Sequence, residues 1–164
     1  MTKHKHTPFP FVGQESMIDE KIQPPLSYSH SGEITSTTGV FPLGDVRRAG
    51  RVIDVSMSVN SCGRDDSSPL IISGEIYING TTCLTTRPSI AFVSGEAPQQ
   101  KTTRVTGDSG ITQAVIDTTA NTVVPGDVIT GIVTLDRTAS PETEINNLII
   151  SVDFEPVNAS PNAF

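Results

Sequence analysis

Enzyme chemistry needs side chains that move protons, attack carbon or hold a metal, and this chain is poor in them. Its three histidines, His4, His6 and His30, all fall within the first 31 residues. A domain lying beyond His30 cannot assemble a Ser-His-Asp triad or a Cys-His pair from its own residues. His4 and His6 stand two apart and read as exposed residues rather than as a metal site. Cys62 and Cys83 have no Cys-x-x-Cys spacing and no neighbouring histidine, which argues against zinc. They are expected as reduced thiols, with a bridge between neighbouring strands the open alternative. The carboxylate pairs are Asp65-Asp66 and Asp153 with Glu155. A glycosidase places two carboxylates about 5–9.5 Å apart across a cleft, usually beside aromatic platforms. This chain has no Trp and only two tyrosines, Tyr28 and Tyr77. Asp65, Asp66, Asp108 and Asp127 fall in turn-like segments, where a carboxylate more readily hydrogen-bonds its own backbone than calcium. Gly107-x-x-Gly110 lacks the Lys-Ser/Thr pair and following helix of a phosphate loop. The expectation is a protein with no catalytic residue, metal or cofactor: not an enzyme.

Binding is better represented than catalysis. Arg47, Arg48 and Arg51 form one dense basic cluster in a chain of net charge −7 and pI near 4.8. They fit either a solvated strand end or a contact for an acidic partner surface. The overall acidity disfavours nucleic acid and anionic membrane as main partners. No stretch approaches the roughly 20 apolar residues that span a bilayer. The start, Met1 to Thr7, carries lysines but no apolar run behind them, so no secretory signal is expected. Without one, Asn79-Gly-Thr and Asn158-Ala-Ser match glycosylation acceptors in form only.

The elements that must position these residues are strands. The chain holds 15 Val, 16 Ile and 20 Thr against 8 Ala and 6 Leu, an excess of β-branched residues over helix formers. From Gly32 onward the apolar residues alternate. Ala49–Asn60 reads as a strand with Ile53, Val55, Met57 and Val59 on one face. Leu70–Ile78 alternates into Asn79-Gly80, a hairpin signal that demands positive φ twice, and Thr81–Thr86 returns. Short strands are expected over 89–93, 102–106 and 111–117. Pro125-Gly126-Asp127 is a tight turn, Val128–Asp136 alternates again, and Ile145–Phe154 closes with Leu148, Ile150, Val152 and Phe154 inward. About eight strands at this spacing predict an all-β protein, an antiparallel β-sandwich. Spacing does not give the strand order. A jelly-roll-like order is preferred to an immunoglobulin-like one because the buried Trp and inter-sheet Cys pair of antibody domains are missing. Its expected core includes Ile53, Val55, Ile76, Ile78, Val133, Leu148, Ile150 and Val152. Ile71 and Ile149 stand on the opposite face, available to a neighbouring copy or a second layer.

Three regions follow: an extended N-terminal arm over 1–31, the sandwich over 32–156, and a tail over 157–164. The arm mixes Pro8, Pro10, Pro24 and Pro25 with Phe9, Phe11, Ile18 and Ile22. Burying those four side chains would contribute about 6–10 kcal/mol. Ordering some twenty residues costs more, at about 1–2 kcal/mol each for the backbone. The arm is therefore expected to pack Phe9, Phe11, Ile18 and Ile22 onto another subunit that supplies the remainder.

The order of these segments carries a resemblance. Leu70-Ile-Ile-Ser-Gly-Glu-Ile-Tyr-Ile-Asn-Gly-Thr-Thr, then Thr86–Ile90, then Ile116-Asp117, Val124–Ile129 and the closing Asn147-Leu-Ile-Ile-Ser-Val resemble small β-sandwich capsid decoration (cement) proteins of tailed bacteriophages. In that group an Ala-Gly-Arg-Val-Ile-like strand, here Ala49–Ile53, opens the sandwich. The resemblance covers about residues 32–155 and leaves out the arm. It implies a structural virion protein that binds the outside of a phage head at threefold positions, with the major capsid protein as partner. It further implies a homotrimer, located on the virion surface and assembled in the host cytoplasm. The rival reading is a tail-fibre or receptor- or carbohydrate-binding module. Such modules usually stack sugars on exposed aromatics, which the sandwich lacks beyond Tyr77.

Overall fold

The structure is a computed structural model and describes residues 22–105, 107–138 and 140–157. These residues hold thirteen strand segments and no helix: β1 Leu26–Ile34, β2 Phe41–Asp45, β3 Gly50–Ser61, β4 Ile71–Ile78, β5 Thr81–Thr82, β6 Leu84–Thr86, β7 Ser89–Ala91, β8 Lys101–Thr102, β9 Ile111–Thr112, β10 Val115–Ile116, β11 Thr122–Val123, β12 Val128–Asp136 and β13 Ile145–Pro156. All pairings are antiparallel. One sheet runs β1-β13-β3-β11, with β8 also on β3; the other runs β2-β12-β4-β7-β9, with β5 also on β4. A two-residue ribbon joins β10 to β6. The chain is thus an all-β protein of two main antiparallel sheets.

The core lies between them and follows from the alternation. Val55, Met57 and Val59 of β3 and Leu148, Ile150, Val152 and Phe154 of β13 meet Ile72, Ile76 and Ile78 of β4 and Ile129 and Val133 of β12, all buried. Two glycines make room for large neighbours. A Cβ at Gly131 would sit 2.8 Å from the Phe41 ring, and one at Gly74 would sit 3.0 Å from the Met57 sulfur. Phe41 in turn stacks on Tyr28 with ring centroids 3.8 Å apart, tying edge strand β1 to edge strand β2. The turns obey their chemistry: Asn79 and Gly80 have φ of 49° and 85°, and Gly126 has φ of 97°.

Four expectations need correction. The arm was expected to end at residue 31, but β1 begins at Leu26 and pairs with β13 from Leu26↔Val152 to Ile34↔Ile145. The boundary therefore falls inside a strand. Ile53, expected in the core, is 48% exposed. Between Asp54↔Asp153 and Val52↔Phe154 the register shifts, so Ile53 is the extra residue of a bulge and the inward phase passes to Val52. The strand expected over 102–106 is only β8, because Thr103 N–H donates to Met57 O and the chain then turns. The strand expected over 111–117 is two pieces on different partners, β9 on β7 and β10 on β6.

Candidate functional site

One end of the sandwich gathers the residues singled out for partner contact. Gln23 is buried, and its side-chain Oε1 accepts from the backbone N–H of Arg47 at 2.7 Å and of Arg48 at 3.2 Å. Val46 N–H donates to Asp127 O, and Gly126 N–H donates to Val46 O, each at 2.8 Å. Gly50 pairs with Val123 on one side and with Pro156 on the other. The residues just before β1, the β2–β3 loop, the Val124–Asp127 turn and the end of β13 are therefore neighbours. Both ends of the described chain leave here. Arg47, Arg48 and Arg51 are all exposed on this end. Arg47 reaches Asp45 only at 4.0 Å between two exposed side chains, a contact worth little in water. Among the described residues Arg48 and Arg51 make no ion pair, although Glu155 is the cross-strand partner of Arg51. Ile22, next to Gln23 in the chain, is 40% exposed, and Val124, Val128 and Val157, in the neighbouring turn and strand ends, are exposed as well. The structure thus brings Ile22 and the arginine cluster together. Phe9, Phe11 and Ile18 lie outside the described residues.

The acidic residues are mostly structural. Asp65 is nearly covered: its Oδ1 accepts from Ser67 N–H, Ser68 N–H and Ser67 Oγ, and its Oδ2 from Thr138 Oγ1. This is the turn chemistry expected of it. Asp127 Oδ2 accepts from Val124 N–H, and its Oδ1 from Asn79 Nδ2 at 2.8 Å. Asp54 and Asp153 face each other across β3 and β13, bridged by Arg104, which lies 2.6 Å from Asp153 and 3.4 Å from Asp54. Among the described residues no three His, Cys, Asp or Glu side chains cluster as metal ligands do. Cys62 and Cys83 are buried free thiols. Burial pushes the Cys83 thiol up to about 11, with the charges of Glu75 and Asp117 adding to it.

The sequence does not reveal that Lys101 is a buried, fully paired charge. The Lys101 side chain is 0% exposed, and its ammonium donates to Ala91 O at 2.9 Å, to Ser109 O at 2.8 Å and to the Glu96 carboxylate. Glu96 also accepts from Val93 N–H at 2.7 Å and from Ser109 Oγ at 2.9 Å. One ion pair therefore pins the long loop after β7 to the Gly107–Gly110 turn. With all three protons donated, Lys101 is no nucleophile. A lone lysine in a polar loop reads as solvated; only the convergence of two carbonyls and a carboxylate reveals otherwise.

Four carboxylates sit below their ordinary range. Burial works to raise Glu96, but Lys101, Val93 N–H and Ser109 outweigh it. Thr138 and then Ser67 lower Asp65, Arg64 lowers Asp66, and Thr119 lowers Asp117. Each folded value lies below the unfolded one. Their stabilisation is therefore complete above the unfolded values, near pH 4, and is lost as pH falls through the folded values. The denaturation midpoint is expected to hold from pH 7 to about 5 and to fall below about pH 4. A midpoint unchanged down to pH 2.5 in urea titrations would contradict this assignment.

No protein-family model matches the chain. No curated protein matches it either. Among solved structures, the Eiger TNF from S. frugiperda is similar at 9% identity, over 87% of this chain and 100% of that one, with a TM-score of 0.29. A likeness of that size carries no argument about function. Among the described residues no helix is long and apolar enough to cross a membrane.

Proposed function

We propose that this chain is a capsid decoration protein: a non-enzymatic structural protein of a phage virion, seated on the outside of the head at threefold positions. The observation that carries the reading is the end where Gln23, the Arg47–Arg48 loop, Arg51 and the end of β13 meet. It joins exposed, nearly unpaired arginines to exposed Ile22, Val124, Val128 and Val157. On an acidic protein, that mixture suits attachment to an acidic protein surface: the arginines steer and set register, and the apolar side chains supply burial. The described residues begin at this same end, at Ile22, and Phe9, Phe11 and Ile18 are proposed to contact the same partner. The partner is the major capsid protein. Assembly as a homotrimer belongs to the same proposal, since repeated weak contacts multiply into avidity.

The strand order supports a jelly roll as the detailed fold. Taken in chain order, the strands of the paths β1-β13-β3-β11 and β2-β12-β4-β7 fall in opposite sheets at every step except β4 to β7, which share one, the order of a double-sheet roll. Architectures of this kind serve as viral capsid domains and as lectins, so fold alone does not choose between them.

The test is attachment. The triple variant Arg47→Glu, Arg48→Glu, Arg51→Glu should keep its melting temperature, because all three side chains are exposed. Its binding to shells of the parent phage stripped of this protein should weaken by about 100-fold or more. Wild-type binding should weaken with added salt. Co-sedimentation of the variant as tight as that of the wild type would remove this end from the interface.

A further inference from the structure

The outer face of the sheet containing β1, β13, β3 and β8 carries a groove of about 640 Å³, within the size range of small-ligand sites. Its floor is set by register. Ser29 pairs with Ile149, Ile149 with Ser58, and Ser58 with Thr102, so one row crosses four strands. Ile149 is 50% exposed in the middle of that row, an isoleucine on the solvent face of a central strand. Neighbouring strands lie about 4.7–4.9 Å apart, so the Ser29 and Ser58 hydroxyls flank it across roughly 10 Å. One wall is a polar pair, with Gln100 Nε2 donating to Asn60 Oδ1 at 2.9 Å.

The free hydrogen-bonding capacity decides the ligand class. Ser58 Oγ donates to Thr102 Oγ1 at 3.0 Å, which leaves the Thr102 hydroxyl proton to give. Asn60 keeps its Nδ2 donors and Gln100 its Oε1 acceptor. The Ser29 hydroxyl has no hydrogen-bond partner among the described residues. An anion finds no free cation here among the described residues: Lys101 spends its three protons on Ala91 O, Ser109 O and Glu96, and Asp108 is part of the lining. His30, the other basic residue of the lining, has its Nε2 3.3 Å from Glu33 O. A wholly apolar ligand would strip water from these hydroxyls and amides without replacing its bonds. We infer that this groove binds a neutral saccharide, whose hydroxyls both give and accept along the Ser29–Ser58–Thr102 row while a C–H face of the ring rests on Ile149. Among the described residues no Phe, Tyr or Trp lines the groove, so single-site affinity is weak. This inference goes beyond the decoration reading and does not rest on it.

The experiment is a glycan array carrying neutral and anionic saccharides, probed with the full chain and with Ile149→Lys. Amide NMR titration with the strongest neutral hit then locates the contact. The expected result is binding among neutral glycans, with saturable shifts at Ser29, Ser58, Thr102 and Ile149. Ile149→Lys, an exposed change that leaves the circular dichroism spectrum intact, should weaken binding by about tenfold or more. Any of four results overturns the inference: no neutral glycan bound above background, binding confined to anionic glycans, undiminished binding by Ile149→Lys, or shifts elsewhere. Concentration-dependent shifts at the same amides without sugar would place a second copy in the groove and overturn it equally.

Discussion

Lys101→Met is expected to destabilise the domain by about 3–5 kcal/mol, the cost of leaving one half of a buried ion pair alone. The methionine fills the stem's space but gives nothing to Ala91 O, Ser109 O or Glu96, three acceptors that now converge on one ammonium. Folded domains are stable by only about 5–15 kcal/mol, so this single change takes a large share. The loss should show as a lower urea midpoint with an unchanged slope. Adding Glu96→Leu should recover part of it, because the uncompensated carboxylate goes too, but not all, because Val93 N–H and the Ser109 hydroxyl lose their acceptor. A single-variant loss under about 1 kcal/mol, typical of exposed pairs, would mean that the pair is solvated.

Truncation separates the arm from the sandwich. Removing residues 1–21 is expected to leave the melting temperature nearly unchanged, since Gln23 and all of β1 remain. Removing residues 1–31 is expected to unfold the domain or leave it molten. That cut takes away Leu26 to Ser31, and with them five register partners of β13, from Leu26↔Val152 to His30↔Leu148. Cross-strand pairs contribute about 0.2–1 kcal/mol each, and the Tyr28–Phe41 stack about 0.5–1.5 kcal/mol beyond its burial. Loss of the half-buried Leu26 and Tyr28 side chains adds to this. The Arg47 and Arg48 amides also lose the Gln23 acceptor. The total is several kcal/mol, comparable with the stability available. Equal melting temperatures for the two truncations would show β1 to be dispensable.

What was legible in the sequence is what period and turn chemistry encode. Ile145–Phe154 announces β13 because its partners lie on both sides and its inner face is unbroken: Leu148, Ile150, Val152, Phe154. Asn79-Gly80 announces its hairpin because few residues accept positive φ twice. β1 hides because it is an edge strand whose inward row is Leu26, Tyr28, His30, only half covered, beside serines that read as coil. Ile53 misleads because a bulge adds one residue and swaps the faces, and nothing local in Val52-Ile53-Asp54 marks it. The basic cluster was visible as three nearby arginines. That it shares an end with Ile22 and the end of β13 depends on contacts from Gln23 to Arg47 and from Gly50 to Pro156, far apart in sequence. The groove was invisible for the same reason, since its row is assembled from four strands.

Cryo-electron microscopy of the virion that carries this chain tests the central claim most directly. The account predicts density for the sandwich on the outside of the head at threefold positions, with the end bearing Arg47, Arg48 and Arg51 turned toward the shell. Density at the tail tip, or on the head with that end facing solvent, would contradict it.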